Sequence, residues 1–393
     1  MSKKIMYISD FTLNQFNSVR DILYKIISNK DMSAYEQIIV KSTGRIHNPI
    51  KTDYYEGFKT YSTSSCKFSE FLKRKDVSIR DKAQHIFHKI LYTVACKLNS
   101  ENKYRTFENY DYLNSVLKKE KPDLVVFLIY SPNEKYAKMC MKYKIPYISI
   151  LYDTYLGRPK VNPDDAYCLE NYVIKNSEGY YVPSFFFDNY SKIYNHQKLH
   201  SINLPLLIEE NEVVEAYKKT KSKYNFTYFG QMQAFRNCDA VKNILRNLNI
   251  SMDVFSTEKL PSDDVFKIHP AVTKTELYDT VAGSDYLVAM DNSFPFQDYL
   301  PSKVYLYVSF TKPIIVFGDN DDSALRRFLN DYPWFYYQNI NNSTEGLVAF
   351  LKSNKSEGFD KTQYLNYSKY LPENALNTLV NNIKQIFEEY LPM

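Results

Sequence analysis

The chain has 393 residues, 44% of them hydrophobic and 24% charged, which suits folded domains and excludes a disordered polymer; the length exceeds what one small core would need and fits two domains. A net charge of +5 suits anionic small ligands or a membrane surface and does not call for nucleic acid, so no nucleic-acid partner is expected. The five cysteines (Cys66, Cys96, Cys140, Cys168 and Cys238) are scattered and form no Cys-x-x-Cys pair, which points to reduced thiols in a cytoplasmic setting rather than a disulfide frame or a zinc site.

The chain opens with no basic-then-apolar leader and enters a short apolar strand at 4–11, which ends near a carboxylate. Apolar residues at helical spacing predict a helix over 18–29, and 36–44 reads as the next strand. Residues 45–70 are polar and irregular and receive no element. A long amphipathic helix is expected over 80–98, a helix closed by proline over 110–122, and a fully buried strand over 123–131. A helix starting at proline covers 132–144, and buried strands follow at 145–153 and 179–184. Short buried strands alternating with helices imply a parallel sheet covered on both faces. Residues 200–215, proline-bearing and then acidic, suit an interdomain linker. No apolar run is long enough to span a bilayer.

The pattern then restarts. Strands are expected at 224–230, 250–256, 266–272, 285–292, 313–320 and 334–340, and helices at 237–248, 273–284, 322–331, 344–353 and 374–391. The fold class is therefore α/β, with two doubly wound Rossmann-like domains facing a cleft onto which the carboxyl ends of both sheets open. The boundaries are set at 1–203 for the first domain, 204–222 for the linker, 223–372 for the second domain and 373–393 for a C-terminal helix.

The stretch "YLPSKVYLYVSFTKPII" (299–315) sits at one of these carboxyl-end turns. Pro301 pre-sets a helix start, Ser302 offers a hydroxyl, and Lys303 places a cation in the first turn, where it opposes the helix dipole. An anionic group nearby would compensate, and a phosphate is the natural candidate; ordinary solvated residues at a helix start are the other reading. Thr311-Lys312-Pro313 ends the helix and launches the next strand.

This stretch resembles the nucleotide-sugar-binding region of GT-B glycosyltransferases, in which a P-x-K-x-x-x-Y-x-x-x-G-K-P-V-I pattern follows a donor-domain strand. "YFGQMQAFRN" (228–237) is similar to the first strand and loop of that domain, and "FKIHPAVTKTELYDTVAGSDYLVAMDN" (from 266) to the segment leading into the donor strand. The resemblance covers roughly 225–320 by motif and the first half by its strand-helix rhythm. It implies a GT-B fold whose C-terminal helix returns to the first domain. It also implies transfer of a sugar from a nucleotide-diphosphate donor to a glycan or lipid-linked acceptor, as in the assembly of bacterial surface polysaccharides. Two departures stand out. The paired glutamates of retaining members are matched here by Asp298 and Leu306, and Thr311 stands where glycine is usual.

Sugar transfer needs positive charge for the leaving diphosphate, a base for the acceptor hydroxyl if the anomeric centre inverts, and exclusion of water. Lys303, Ser302 and Arg236 are the candidates for the diphosphate, with Gly230 allowing close approach of backbone. Asp153 and Asp10, each ending a first-sheet strand, are the candidate bases; a helix-cap or turn carboxylate, the commoner use of such a residue, is the other reading of each. His269, Asp291, Asn292 and Asp298 are placed around the donor, together with Pro301. No metal and no cofactor is expected, the nucleotide sugar being a substrate. The basic stretch 71–90 could rest on the inner face of an anionic membrane, or be a solvated helix face. A noncatalytic partner on the same scaffold and a sugar-nucleotide epimerase stay open beside the transferase.

Overall fold

The computed structural model describes residues 3–10, 18–42, 50–55, 57–63, 83, 86–87, 90, 101–128, 134–152, 155–156, 161–203, 208–220, 223–232, 236–258, 261–291, 300–353, 358–367 and 372–390. In chain order the first half holds β1 (Lys4–Ser9), α1 (Ser18–Ile27), β2 (Glu36–Lys41), β3 (Ile50–Tyr55), β4 (Phe58–Thr63), α2 (Glu101–Glu120), β5 (Leu124–Leu128), α3 (Glu134–Tyr143), β6 (Tyr147–Ile150), α4 (Pro163–Asn176), β7 (Gly179–Pro183), α5 (Ser184–Tyr194) and β8 (Leu199–Ile202). The second half holds α6 (Glu210–Lys219), β9 (Tyr224–Phe229), α7 (Cys238–Asn247), β10 (Met252–Ser256), β11 (Phe266–Pro270), α8 (Lys274–Ala282), β12 (Ser284–Met290), α9 (Lys303–Ser309), β13 (Ile314–Gly318), α10 (Ala324–Leu329), β14 (Phe335–Asn339), α11 (Glu345–Ser353), α12 (Lys361–Asn366), α13 (Pro372–Ala375) and α14 (Asn377–Tyr390).

The strands form two sheets, ordered β3-β4-β2-β1-β5-β6-β7-β8 and β11-β10-β9-β12-β13-β14. Every pairing is parallel except β3 with β4. In each sheet the strand order reverses beside the first strand, at β1/β5 and at β9/β12. The connections leave opposite faces there, and a crevice opens at the carboxyl ends.

Alternation along the strands builds one core on each face of each sheet. Met6 and Ile8 pack with α2 and α3 residues, while Ile5 and Tyr7 pack with α1. In the second sheet Phe229, Phe255 and Leu287 face α8 and α9, and Tyr228, Val254 and Val288 face α7 and α11. The last helix returns to the first sheet as expected: Leu379, Val380 and Ile383 of α14 share the core of Ile5 and Ile22, Phe387 stacks on Tyr35 at 4.7 Å, and Lys384 pairs with Asp31 at 2.8 Å. Phe185 at the start of α5 packs against cores of both sheets and meets Tyr305 of α9 at 6.3 Å, joining the two halves.

Local signals account for several boundaries. Asn162 accepts the N–H groups of Asp164 and Asp165 with Pro163 in the first turn of α4. Thr273 and Glu276 form a reciprocal capping box on α8, with Gly283 at its end. Asn237 precedes α7 without capping it: its φ is +50°, and its side-chain amide donates to Asp319 at 3.2 Å.

Other differences from the sequence reading follow from the tertiary structure. Part of the stretch left without an element, 45–70, forms the antiparallel β3-β4 hairpin, turning at Gly57 with φ +87°. Residues read as the start of a linker, from 200, belong to strand β8, and α6 lies within 204–222. Strand β8 finds its pairing partner in β7, and α6 buries Val213 against the second sheet's core. Both are decided by contacts far along the chain. Most of the helix expected over 80–98 lies outside the described residues. Among the described residues no helix is long and apolar enough to cross a membrane.

Candidate functional site

The carboxyl ends of β9 and β12, at the turning point of the second sheet, carry Gly230 and Asp291. Gly230 has φ +155°, and a Cβ there would lie 2.7 Å from the Tyr228 hydroxyl, so backbone and phenol approach closely only because the residue is glycine. Among the described residues, hydrogen bonds hold the start of the loop it opens. The Glu258 carboxylate accepts the Met232 N–H at 2.7 Å, and the Tyr228 hydroxyl donates to the Gln231 carbonyl at 3.1 Å. Arg236 stands at the far end of the loop, and its Nη1 donates to the same Tyr228 hydroxyl at 3.1 Å.

Asp291 is 4% exposed, and its N–H donates to the Phe317 carbonyl at 2.8 Å. Gly318 passes beside it: a Cβ on Gly318 would fall 2.8 Å from that of Asp291 and collide with the Tyr337 hydroxyl. Burial pushes the Tyr337 phenol up, and the Asp291 charge adds to the shift.

Leu300 and Pro301 are buried, Ser302 precedes α9, and Lys303 is its first residue, as the sequence pattern predicts. Lys303 is half-buried. Desolvation holds its ammonium below the usual lysine range, opposed by the charge of Asp21 on α1 of the first domain. The charge of a residue in the first half of the chain is thus felt at Lys303. One turn on, burial raises the Tyr307 phenol; the Tyr228 hydroxyl adds to the rise, while the backbone of Phe229 and the charge of Arg236 act against it. The Tyr307 ring lies 6.4 Å from that of Phe229, so α9 meets the carboxyl end of β9.

His269 lies on edge strand β11. Its Nε2 is 2.7 Å from Asp253 Oδ1, and its ring ends a ladder across three strands, stacked on Phe255 at 4.7 Å, which stacks on Phe229 at 5.1 Å. In the first domain Asp10 follows β1 at the turning point of that sheet. Its carboxylate accepts the Ser42 hydroxyl, after β2, and the Tyr152 hydroxyl, after β6, at 3.1 Å. Asp153, Asn292 and Asp298 lie outside the described residues.

Sequence reasoning missed Asp21, Glu258 and Tyr307, which act through contacts between elements distant in the chain; only Tyr307 carried a signal, as the tyrosine of the P-x-K-x-x-x-Y pattern. It also passed over one Asp-x-Asp triplet, Asp319–Asn320–Asp321. There Asp319 accepts from Asn237, while Asp321 pairs with Arg326 at 2.8 Å and accepts from Asn339 at 3.3 Å. Among the described residues no group of three or more acidic, histidine or cysteine side chains is placed to hold a metal ion.

No family model and no curated protein sequence matches the chain. Solved structures do. A glycosyltransferase from Rickettsia africae is similar over 100% of this chain and 99% of its own, with 10% identity and a TM-score of 0.58. Anabaena Alr3699/HepE, solved in complex with UDP, is similar over 97% of this chain and 100% of its own, with 8% identity and a TM-score of 0.58. The UDP-GlcNAc 2-epimerase of Methanocaldococcus jannaschii is similar over 97% and 99%, with 11% identity and a TM-score of 0.52. At such identities the likeness speaks for architecture alone, and it extends over both sheets and the returning helix: the chain has the GT-B fold.

Proposed function

We propose that the protein is a metal-independent glycosyltransferase of the hexosyl-transferring kind. It would move a sugar from a nucleotide-diphosphate donor over the second sheet to a glycan or lipid-linked acceptor over the first. The observation that carries this reading is Lys303, a desolvated cation that opens the helix after the β12 rim of a GT-B second sheet and feels the charge of Asp21 in the first half of the chain. A partly desolvated ammonium is disfavoured until an anion neutralises it, and a diphosphate does so.

In this reading Lys303, Ser302 and Arg236 meet the charge that develops on the leaving diphosphate, and the Gly230 loop offers backbone N–H groups. Pro301 sets the start of α9, and Asp291, Asp298 and His269 stand around the sugar and nucleoside. The acceptor hydroxyl attacks the anomeric carbon as the bond to the diphosphate oxygen breaks. In an inverting reaction, Asp153 or Asp10 takes the hydroxyl proton. The Asp10 carboxylate already accepts two hydroxyls, a chemistry suited to a third from a sugar.

Epimerisation of a sugar nucleotide is the second reading, favoured by the 2-epimerases among the similar structures. Thermal stability against a panel of nucleoside diphosphates, uridine diphosphate first, tests the donor site. A ligand at a hundredfold over its Kd adds about 2.7 kcal/mol to the wild type and nothing comparable to Lys303→Ala. Absence of any shift overturns the donor site. Where a shift is found, sugar incorporated into an acceptor supports transfer, and an epimeric sugar nucleotide released without acceptor supports the second reading.

A further inference from the structure

Helix α5 leaves the carboxyl end of β7, runs for 11 residues and ends at Asn195, whose φ is +39° and whose N–H donates to the Ser191 carbonyl at 3.0 Å. The chain then turns tightly, with the Leu199 N–H donating to the His196 carbonyl at 3.0 Å, and enters edge strand β8. Between the last turns of α5 and the start of β8 lies an open cavity of about 570 Å³, inside the range of about 300–1,000 Å³ usual for small-ligand sites. The helix rise carries this place about 16 Å from the carboxyl-end crevice, to the amino end of the parallel strands. Phe187, half-buried against the first sheet's core, and Leu199 supply apolar lining. Ser191, Asn195, His196 and Gln197 supply hydrogen-bonding groups. Among the described residues the side-chain amides of Asn195 and Gln197 have no hydrogen-bond partner. The Ser191 hydroxyl donates to the Asp188 carbonyl at 3.0 Å and can still accept, and His196 Nδ1 accepts the Lys198 N–H at 3.2 Å, which leaves Nε2 as a donor. No lysine, arginine or carboxylate lines the cavity.

We propose that this cavity binds neutral sugar residues of a glycan, away from the point of transfer. A sugar ring offers an apolar face of C–H groups to Phe187 and Leu199. Its hydroxyls, each both donor and acceptor, match two free amides, a hydroxyl and an imidazole. A phosphorylated or carboxylated ligand would find no opposite charge in the lining, and a wholly apolar one would strand the amides. The choice of a glycan among neutral polyols rests on the glycosyl-transfer reading above. A polymeric acceptor or product held here stays tethered near the crevice, which raises its effective concentration there without a new contact at the reacting centre.

The full chain is screened against an array of neutral and acidic glycans, and the hits are measured by ligand-observed NMR with wild type, an Asn195→Gly/Gln197→Ala variant and Phe187→Leu. Asn195 and Gln197 are exposed, and glycine suits the left-handed backbone at 195, so the double variant should be as stable as wild type, which is checked first. The expected result is binding of a neutral glycan, weakened about tenfold in the double variant by the loss of two neutral hydrogen bonds and weakened also in Phe187→Leu. No neutral glycan bound, a preference for acidic glycans, or equal binding by wild type and the double variant overturns the proposal. So does uridine or adenosine bound at these residues in place of any glycan. The uridine-diphosphate stability shift is recorded on the same proteins. If the shift is present and no glycan binds, the glycan site alone fails; if a glycan binds at these residues and no nucleotide shifts the wild type, the donor site alone fails.

Discussion

Lys312 sits in the turn between α9 and β13, 3% exposed, with its Nζ 5.0 Å from the centre of the Tyr217 ring. Burial lowers its ammonium to about 8, and the charge of Asp285 works against that fall. In the unfolded chain the same group titrates near 10.5. Between those values the unfolded state binds more protons, so stability rises with pH across this window, and the cost of the buried charge is fully present below pH 8. A lysine titrating at these two values makes the fold about 2 kcal/mol more stable at about pH 9.5 than at about pH 7. Lys312→Met keeps the length and most of the volume of the side chain and removes the charge, together with an attraction to Tyr217 of about 1 kcal/mol. The variant should be more stable than wild type by about 2 kcal/mol near pH 7, with the gap closing as pH rises. Urea unfolding of both proteins across this range measures it, and other titrating groups cancel in the difference. Parallel stability curves, or a variant less stable at neutral pH, would show that the ammonium is well accommodated and refute the argument.

Thr311, in place of the usual glycine, has φ +52° and its Oγ1 accepts the Asp360 N–H at 2.9 Å. Thr311→Ala keeps the left-handed backbone and loses the bond, for a cost of about 1–2 kcal/mol. Thr311→Gly relieves the backbone and should exceed the alanine variant by about 1 kcal/mol in chemical denaturation, the reverse of the usual order. Glu170, fully buried, accepts hydroxyls from Tyr180 at 3.1 Å, Tyr190 at 3.2 Å and Tyr194. Glu170→Leu strands three phenols and should cost about 3–5 kcal/mol in the same assay, with Glu170→Gln costing less because one acceptor oxygen remains. A leucine variant as stable as wild type would show that the cluster repacks or hydrates.

Period and punctuation carried the sequence a long way. The buried strands 124–128 and 314–318 are apolar throughout, and the start of α9 follows from Pro301, so the two-sheet α/β plan and the location of Lys303 were legible from local pattern. Side-chain type at a strand end is local too, which is why Gly230, Asp291 and Asp10 could be named as lying at the rims of the sheets. The hairpin β3-β4 and the edge strand β8 were not legible, because a polar strand is made by its pairing partner rather than by its own period. Thr311 shows the same limit from the other side: a residue that local rules keep out of left-handed backbone is held there by the helix end before it and the Asp360 N–H beside it. Nor could the sequence say that Asp21 would oppose the desolvation of Lys303, that Glu258 would hold the loop after Gly230, or that His269 would be engaged by Asp253. Composition and spacing determined which elements form and which residues reach the rims. The charge each of those residues feels was decided by the tertiary structure alone, because burial and Coulomb interactions depend on distance in space and not along the chain.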